Sequence, residues 1–285
     1  MVERPAPKLN WEIYAQSVTG SQHRREGRIC QDSQKSASSE YGCVVAVADG
    51  HGSQHSPNSA EGSKKAVEAA VSQLLYFVLR VQDQPLERVQ RYAREELARR
   101  IVHSWIKDVR QRAKQAQQAE LPLPTLLRAY GSTLLAVLAT ERYILYFQLG
   151  DGDILRVEAD GNVSRPVVRN ADLIAEETHS LCMVDQRTQQ PNAWLYASVH
   201  LELLTQPPAL IMLSTDGYAN SFRSDEDFLQ VGSDILHLIQ REGWEYVKEN
   251  LSSWLEEATQ RGSGDDIAVG LMWNAASTSI AETER

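Results

Sequence analysis

The chain has 285 residues, 42% of them hydrophobic and 24% charged, which suits one large α/β domain or two small ones. Its formal net charge of −9 argues against nonspecific nucleic-acid binding, since a polyanion would be repelled, and is compatible with carboxylates gathered around divalent metal. The longest apolar runs, 43–48 and 134–139, fall far short of the roughly 20 residues of a membrane-spanning helix, so no membrane role is expected.

In chain order, Trp11, Ile13, Ser17 and Val18 alternate as a first strand would. The β-branched run 41–48 ends at Asp49-Gly50 and predicts a buried strand entering a turn. From Ser59 a helical stripe follows through Val67, Ala70, Val71, Leu74, Leu75 and Val78. Pro85 opens a second helix, with Leu86, Val89, Ala93, Leu97, Ile101, Trp105 and Val109 on one face. Two long helices in succession would cover one sheet face, and the Pro-containing stretch 121–124 ends that hairpin.

Strands are predicted next over 131–139, 143–149 and 154–158, with Asp160-Gly161 as a turn. The polar stretch 162–192 has no clear period and stays unassigned. Strands over 194–204 and 210–214, helices over 233–241 and 244–260, and a last strand over 267–273 complete the domain. The expected division is one domain over 1–274 and a frayed tail over 275–285. Hairpin-like strands with helices grouped in pairs predict an α+β fold, a central antiparallel β-sandwich flanked by helix pairs in four αββα layers. The opening MVERPAPKLNWE carries no export pattern, and Cys30, Cys43 and Cys182 form no CxxC pair, so reduced thiols in a cytoplasm are expected.

The chemical signal is one of position. Asp49, Asp151 and Asp216 each follow a predicted strand, Asp265 and Asp266 precede the last one, and Asp32 precedes the run that leads to Tyr41. In an antiparallel sheet the end of one strand lies beside the start of its neighbour, so these carboxylates can converge on one edge. Asp49, Asp151, Asp216 and Asp265 have glycine neighbours, which allow sharp turns and close approach of backbone carbonyls. Asp-Gly is also a common turn dipeptide, but four strand ends bearing it together point to a site. Carboxylates so close would raise one another's pKa unless a cation intervened. All-oxygen donors suit Mg²⁺ or Mn²⁺ better than zinc.

The segments Cys30-Gln-Asp32, Val47-Ala-Asp-Gly-His-Gly52, Gly131-Ser-Thr133, Gly150-Asp151, Ser214-Thr-Asp-Gly217 and Gly264-Asp-Asp-Ile267 follow one another across 11–273. In content and order they resemble the PPM/PP2C family of metal-dependent serine/threonine protein phosphatases, nearest its bacterial-type members with a Gln-Asp first motif. The resemblance implies hydrolysis of phosphoserine and phosphothreonine in proteins by water activated between two divalent cations, Mn²⁺ or Mg²⁺.

It implies that Asp49 bridges the two metals, that the Gly50 carbonyl adds a ligand, and that Asp216 and Asp265 complete the second metal. Asp32 would support the site directly or through water, and Asp151 with Asp216 matches the place of a weaker third metal. His51 matches the general acid for the leaving alkoxide. The partners implied are phosphorylated proteins made by a serine/threonine kinase, met by a monomer.

Two departures stand out. Gln31 occupies a position that is often acidic in the family, and Gly27 one that often carries a phosphate-binding arginine. Arg28 is the nearest replacement, with Arg24, Arg25 and His23 beside it. A pseudo-phosphatase that binds phosphoproteins or partners without turnover is the alternative, and a phosphatase of small esters a third reading. The chain has no DxDx(T/V) motif, no GxGxxG loop and no HRD loop, against an aspartyl-phosphate enzyme or a kinase. Trp105 and Trp254 read as core, Cys30 as a thiol without a partner, and His179 as part of a variable flap.

Overall fold

A computed structural model describes residues 11–117, 120–167 and 179–276. Most of the tail expected over 275–285, and 168–178 of the unassigned stretch, lie outside the described residues. Among the described residues ten strands form two antiparallel sheets. The first has the order β1-β10-β9-β6-β7, from β1 (Trp11–Val18), β10 (Ile267–Asn274), β9 (Leu210–Ser214), β6 (Asp153–Val157) and β7 (Val163–Ser164). The second has the order β2-β3-β4-β5-β8, from β2 (Ser33–Ser39), β3 (Gly42–Ala48), β4 (Leu134–Ala139), β5 (Tyr143–Leu149) and β8 (Ser198–Leu203).

Strand alternation sorts the apolar side chains into three layers of core. Val45 and Val47 of β3, Leu135 and Val137 of β4, Ile211 and Leu213 of β9 and Ala268 of β10 meet between the sheets. Their sequence neighbours Val44, Ala46, Leu134, Ala136 and Leu138 face the helices α2 (Ser59–Val81), α3 (Leu86–Tyr92) and α4 (Ala98–Gln115). On the other side, Leu210, Met212, Ile267, Val269 and Leu271 pack under α7 (Asp225–Glu242) and α8 (Trp244–Arg261). Strands buried on both faces explain why 43–48 and 134–139 are continuously apolar. The fold is α+β with four αββα layers, as the sequence pattern predicts.

The second predicted helix is not uniform. Val89, Ala93, Leu97, Ile101, Trp105 and Val109 are all buried, and they repeat strictly every four residues. A 3.6-residue helix would rotate such a row by about 40° per step. A π-helical turn at Ala93–Leu97, with more residues per turn, takes up part of that drift. The Trp105 indole is fully buried and donates its Nε1–H to the Gly62 carbonyl at 3.0 Å, tying α4 to α2.

Besides the short strand β7 and a 3-10 turn at Ala193–Leu195, four elements among the described residues went unforeseen. They are β2, the short helices α1 (Ser21–Glu26) and α6 (Asp216–Ala219), and α5 (Leu123–Ala129), which begins inside the stretch read as the end of the hairpin. Helix α7 starts at Asp225, eight residues before the predicted 233, because the Ser224 hydroxyl caps the Asp227 N–H at 3.1 Å. Asp225, Glu226 and Asp227 then lie where the helix dipole favours negative charge.

Candidate active site

The register brings one end of both sheets together at the carboxylates. In the second sheet Ser33 at the start of β2 pairs with Ala48 at the end of β3, and Leu134 with Leu149. In the first, Ser214 at the end of β9 pairs with Asp153 at the start of β6 and Val269 near the start of β10. Asp49, Asp151, Asp216 and Asp265 leave from this end and line one cleft of about 760 Å³, with Gly50 and His51 beside them. Asp32 sits behind, buried, and accepts a 2.6 Å hydrogen bond from the Thr215 hydroxyl. Thr215 Oγ1 in turn accepts from the Ala268 N–H at 2.8 Å, so β9, β10 and the first motif share one anchor.

Electrostatics follows from this crowding. Burial, and then the charge of Asp49, pushes Asp32 well above the usual carboxylate range, against the Thr215 hydrogen bond. Burial and the charge of Asp216 push Asp49 up likewise. Asp216 is pushed up to about 6 by burial, then by Asp151 and Asp265, while Asn220 donates to its Oδ2 at 3.1 Å. Burial lowers the proton affinity of His51, partly offset by the charge of Asp151. Among the described residues no three His, Cys, Asp or Glu side chains meet as a ready cage for a metal ion. The donor chemistry nevertheless fits a hard divalent cation: oxygen atoms only, on tight turns, with mutual repulsion that a cation would relieve.

The turn that carries Asp49 to Gly52 is held from two sides. The Asp49 N–H donates to Thr133 Oγ1 at 3.0 Å, the Thr133 N–H returns to the Asp49 carbonyl at 2.8 Å, and the His51 N–H donates to the Gly131 carbonyl at 3.1 Å. A Cβ at Gly50 would stand 2.7 Å from the carbonyls of both Gln31 and Ser59, so this close approach requires glycine.

Of the adjacent pair before β10, both line the cleft, but Asp265 is exposed whereas Asp266 is buried and organises the frame. Asp266 accepts from the Gly20 and Gln31 N–H groups, both at 2.6 Å, and lies 2.9 Å from His23 Nδ1. His23, an alternative phosphate contact in the sequence, lines the cleft as half of a buried pair with Asp266.

Arg28 is not among the residues that line the cleft but touches two that are, its guanidinium on the Gly52 carbonyl at 3.2 Å and the Gln31 side chain at 3.4 Å, with Glu26 at 3.3 Å. Arg24 lies 3.8 Å from Glu256 and is not among the cleft residues. A guanidinium that sequence reasoning passed over, Arg128 of α5, lines the cleft together with Pro124 and Cys182. No motif marks it, because only the packing of α5 sets this exposed side chain beside the cleft. His179 lies 4.5 Å from the Tyr196 ring, centroid to centroid.

The family model described as protein phosphatase 2C matches residues 19–256. The chain belongs to the protein phosphatase 2C family. Solved structures agree with phosphatase 2C membership at the level of the fold. The serine/threonine phosphatase of S. agalactiae superposes with a TM-score of 0.57 at 16% identity, covering 93% of this chain and 99% of that one. The catalytic domain of the serine/threonine phosphatase PstP, in complex with two manganese ions, gives 0.54 at 16% identity, over 93% and 98%. RsbX in complex with magnesium gives 0.51 at 16%, over 92% and 94%. No curated protein matches the sequence.

Proposed function

We propose that this phosphatase 2C member hydrolyses phosphoserine and phosphothreonine in proteins with the help of two divalent cations, Mn²⁺ or Mg²⁺. The observation that carries the reading is the convergence of Asp49, Asp151, Asp216 and Asp265 on one cleft, backed by the buried Asp32. Structural neighbours that contain manganese or magnesium support the choice of ion. Asp49 and the Gly50 carbonyl would hold the cations from the β3 turn, and Asp216 and Asp265 from the β9 and β10 turns. Asp32 would steady Asp49 from behind, and Asp151 with Asp216 would hold a weaker third ion. Bound cations supply the charge that acidifies water and neutralises phosphoryl oxygens.

The chain's own groups account for the rest. His51 lines the cleft, and burial makes its imidazolium a readier acid for a departing serine or threonine alkoxide. Arg128 in the cleft wall, and Arg28 beside the cleft residues Gln31 and Gly52, would offer guanidinium groups to the phosphate. We place the protein in the cytoplasm as a monomer, acting against a serine/threonine kinase, with the phosphatase unit over 1–274. Among the described residues no helix is long and apolar enough to cross a membrane.

The test is hydrolysis of an aryl phosphate and a phosphothreonine peptide with Mn²⁺, with Mg²⁺ and with EDTA. Turnover of both that EDTA removes and Mn²⁺ restores is the expected result. Aryl-phosphate turnover alone would shift the substrate to small esters. Gln31, at a position often acidic in relatives, favours a second reading, a phosphoprotein-binding pseudo-phosphatase. Folded protein that binds cation and peptide yet turns over neither substrate would establish it.

A further inference from the structure

Helix α4 carries a charge opposite in sign to the molecule's. It holds six basic residues, Arg99, Arg100, Lys107, Arg110, Arg112 and Lys114, against one acid, Asp108, in a chain of net charge −9. At about 100° per residue, His103, Lys107, Arg110 and Lys114 fall within roughly 60° of one another and make one stripe. All four are exposed. A groove of about 500 Å³ runs along the stripe, with Ile106 and Gln111 completing its walls. At Arg110 and Lys114 it meets a second hollow of about 320 Å³, lined by Leu121, Leu123 and Leu126.

Of the stripe, His103 packs edge-on against the Trp194 ring at 5.1 Å, which leaves Lys107, Arg110 and Lys114 as its binding cations. Arg100 is engaged with the Tyr76 ring and Gln73, and Arg112 with Glu61. Among the described residues no carboxylate lies within ion-pair distance of Lys107, Arg110 or Lys114. The hollow also borders the cleft through one short helix: Leu123 and Leu126 of α5 face the groove, while Pro124 and Arg128 line the catalytic cleft.

We propose that the basic face of α4 docks an acidic segment of the phosphoprotein substrate, anchored by an apolar side chain in the leucine-lined hollow. The proposal rests on the phosphatase reading and deepens it, because it names the substrates as phosphosites with acidic flanks. Unpaired cations beside an apolar hollow attract carboxylates and add an anchor, which raises encounter rate and specificity. An extended segment of about ten residues spans roughly 33 Å, comparable with the roughly 27 Å of the 18-residue α4.

The experiment compares two phosphothreonine peptides, one flanked by about ten residues of Asp and Glu around a leucine, the other by Asn and Gln in the same pattern. Both flanking orders are used. The acidic peptide is expected to show a KM about tenfold lower at low salt, with kcat unchanged, and the difference is expected to fade as salt rises. The combined variant Lys107→Glu, Arg110→Glu, Lys114→Glu should lose the preference and keep aryl-phosphate turnover, and single Lys→Gln variants guard against misfolding. Equal KM for the two peptides, or a preference retained in the combined variant, overturns the docking site. Fluorescence anisotropy of the unphosphorylated acidic peptide separates the two readings. Binding by the wild type alone, without turnover of any ester, would uphold docking and remove the phosphatase. Turnover without such binding or preference would do the reverse.

Discussion

Gly131 keeps the imidazole of His51 in place by having no side chain. A Cβ there would overlap His51 Cδ2 and stand 3.2 Å from Cys182 Sγ, while the Gly131 carbonyl already holds the His51 N–H. If His51 is the acid, two changes should act alike. His51→Ala and Gly131→Ala are both expected to slow phosphothreonine hydrolysis by about tenfold or more and aryl-phosphate hydrolysis much less, since an aryl leaving group needs little protonation. Equal losses on both esters would remove His51 from that role. The neighbouring acids before β10 teach a similar lesson. Sequence offered Asp265 and Asp266 side by side, and although both line the cleft, only burial and hydrogen bonding to Gly20, Gln31 and His23 mark Asp266 as the frame-builder.

At the scale of elements, apolar period was a good guide and polar strands were not. The strands 143–149 and 210–214 were legible to the residue because buried strands leave continuous apolar runs. Strand β2 reads SQKSASS and was missed, since its conformation comes from pairing with β3 rather than from its own side chains. Helix α4 owes its place to Trp105, whose removal both opens a cavity and loses the indole hydrogen bond to the Gly62 carbonyl. Trp105→Ala is expected to cost about 3–5 kcal/mol in urea unfolding, and a loss below about 1 kcal/mol would contradict that packing.

At the scale of the molecule, the fold concentrates negative charge where it is costly. Asp216 has a folded-state pKa of about 6, raised by burial and by Asp151 and Asp265. A carboxylate raised in this way favours the folded state below its unfolded value, and that favour is lost as pH rises to about 6. In EDTA, Asp216→Asn is therefore expected to be more stable than wild type above pH 6 by about 1–3 kcal/mol, with the gap closing toward pH 4. Mn²⁺ should raise the wild-type melting temperature more than that of the variant, because an ion bound only by the folded state stabilises it. A variant no more stable than wild type in EDTA at pH 7.5 would deny the repulsion.

The sequence by itself determined the layers and the order of the site: apolar runs make sandwich strands, and an aspartate stands at several of the turns that end or begin one. Both are local patterns, written within a few residues of chain. What the tertiary structure alone decided is which side chains from distant segments share a space. Gly20 and Asp266 meet across 246 residues, Arg128 lines the cleft, and the cations of α4 come to border it through α5. Such meetings depend on strand register and helix rotation, and packing of the whole chain sets both.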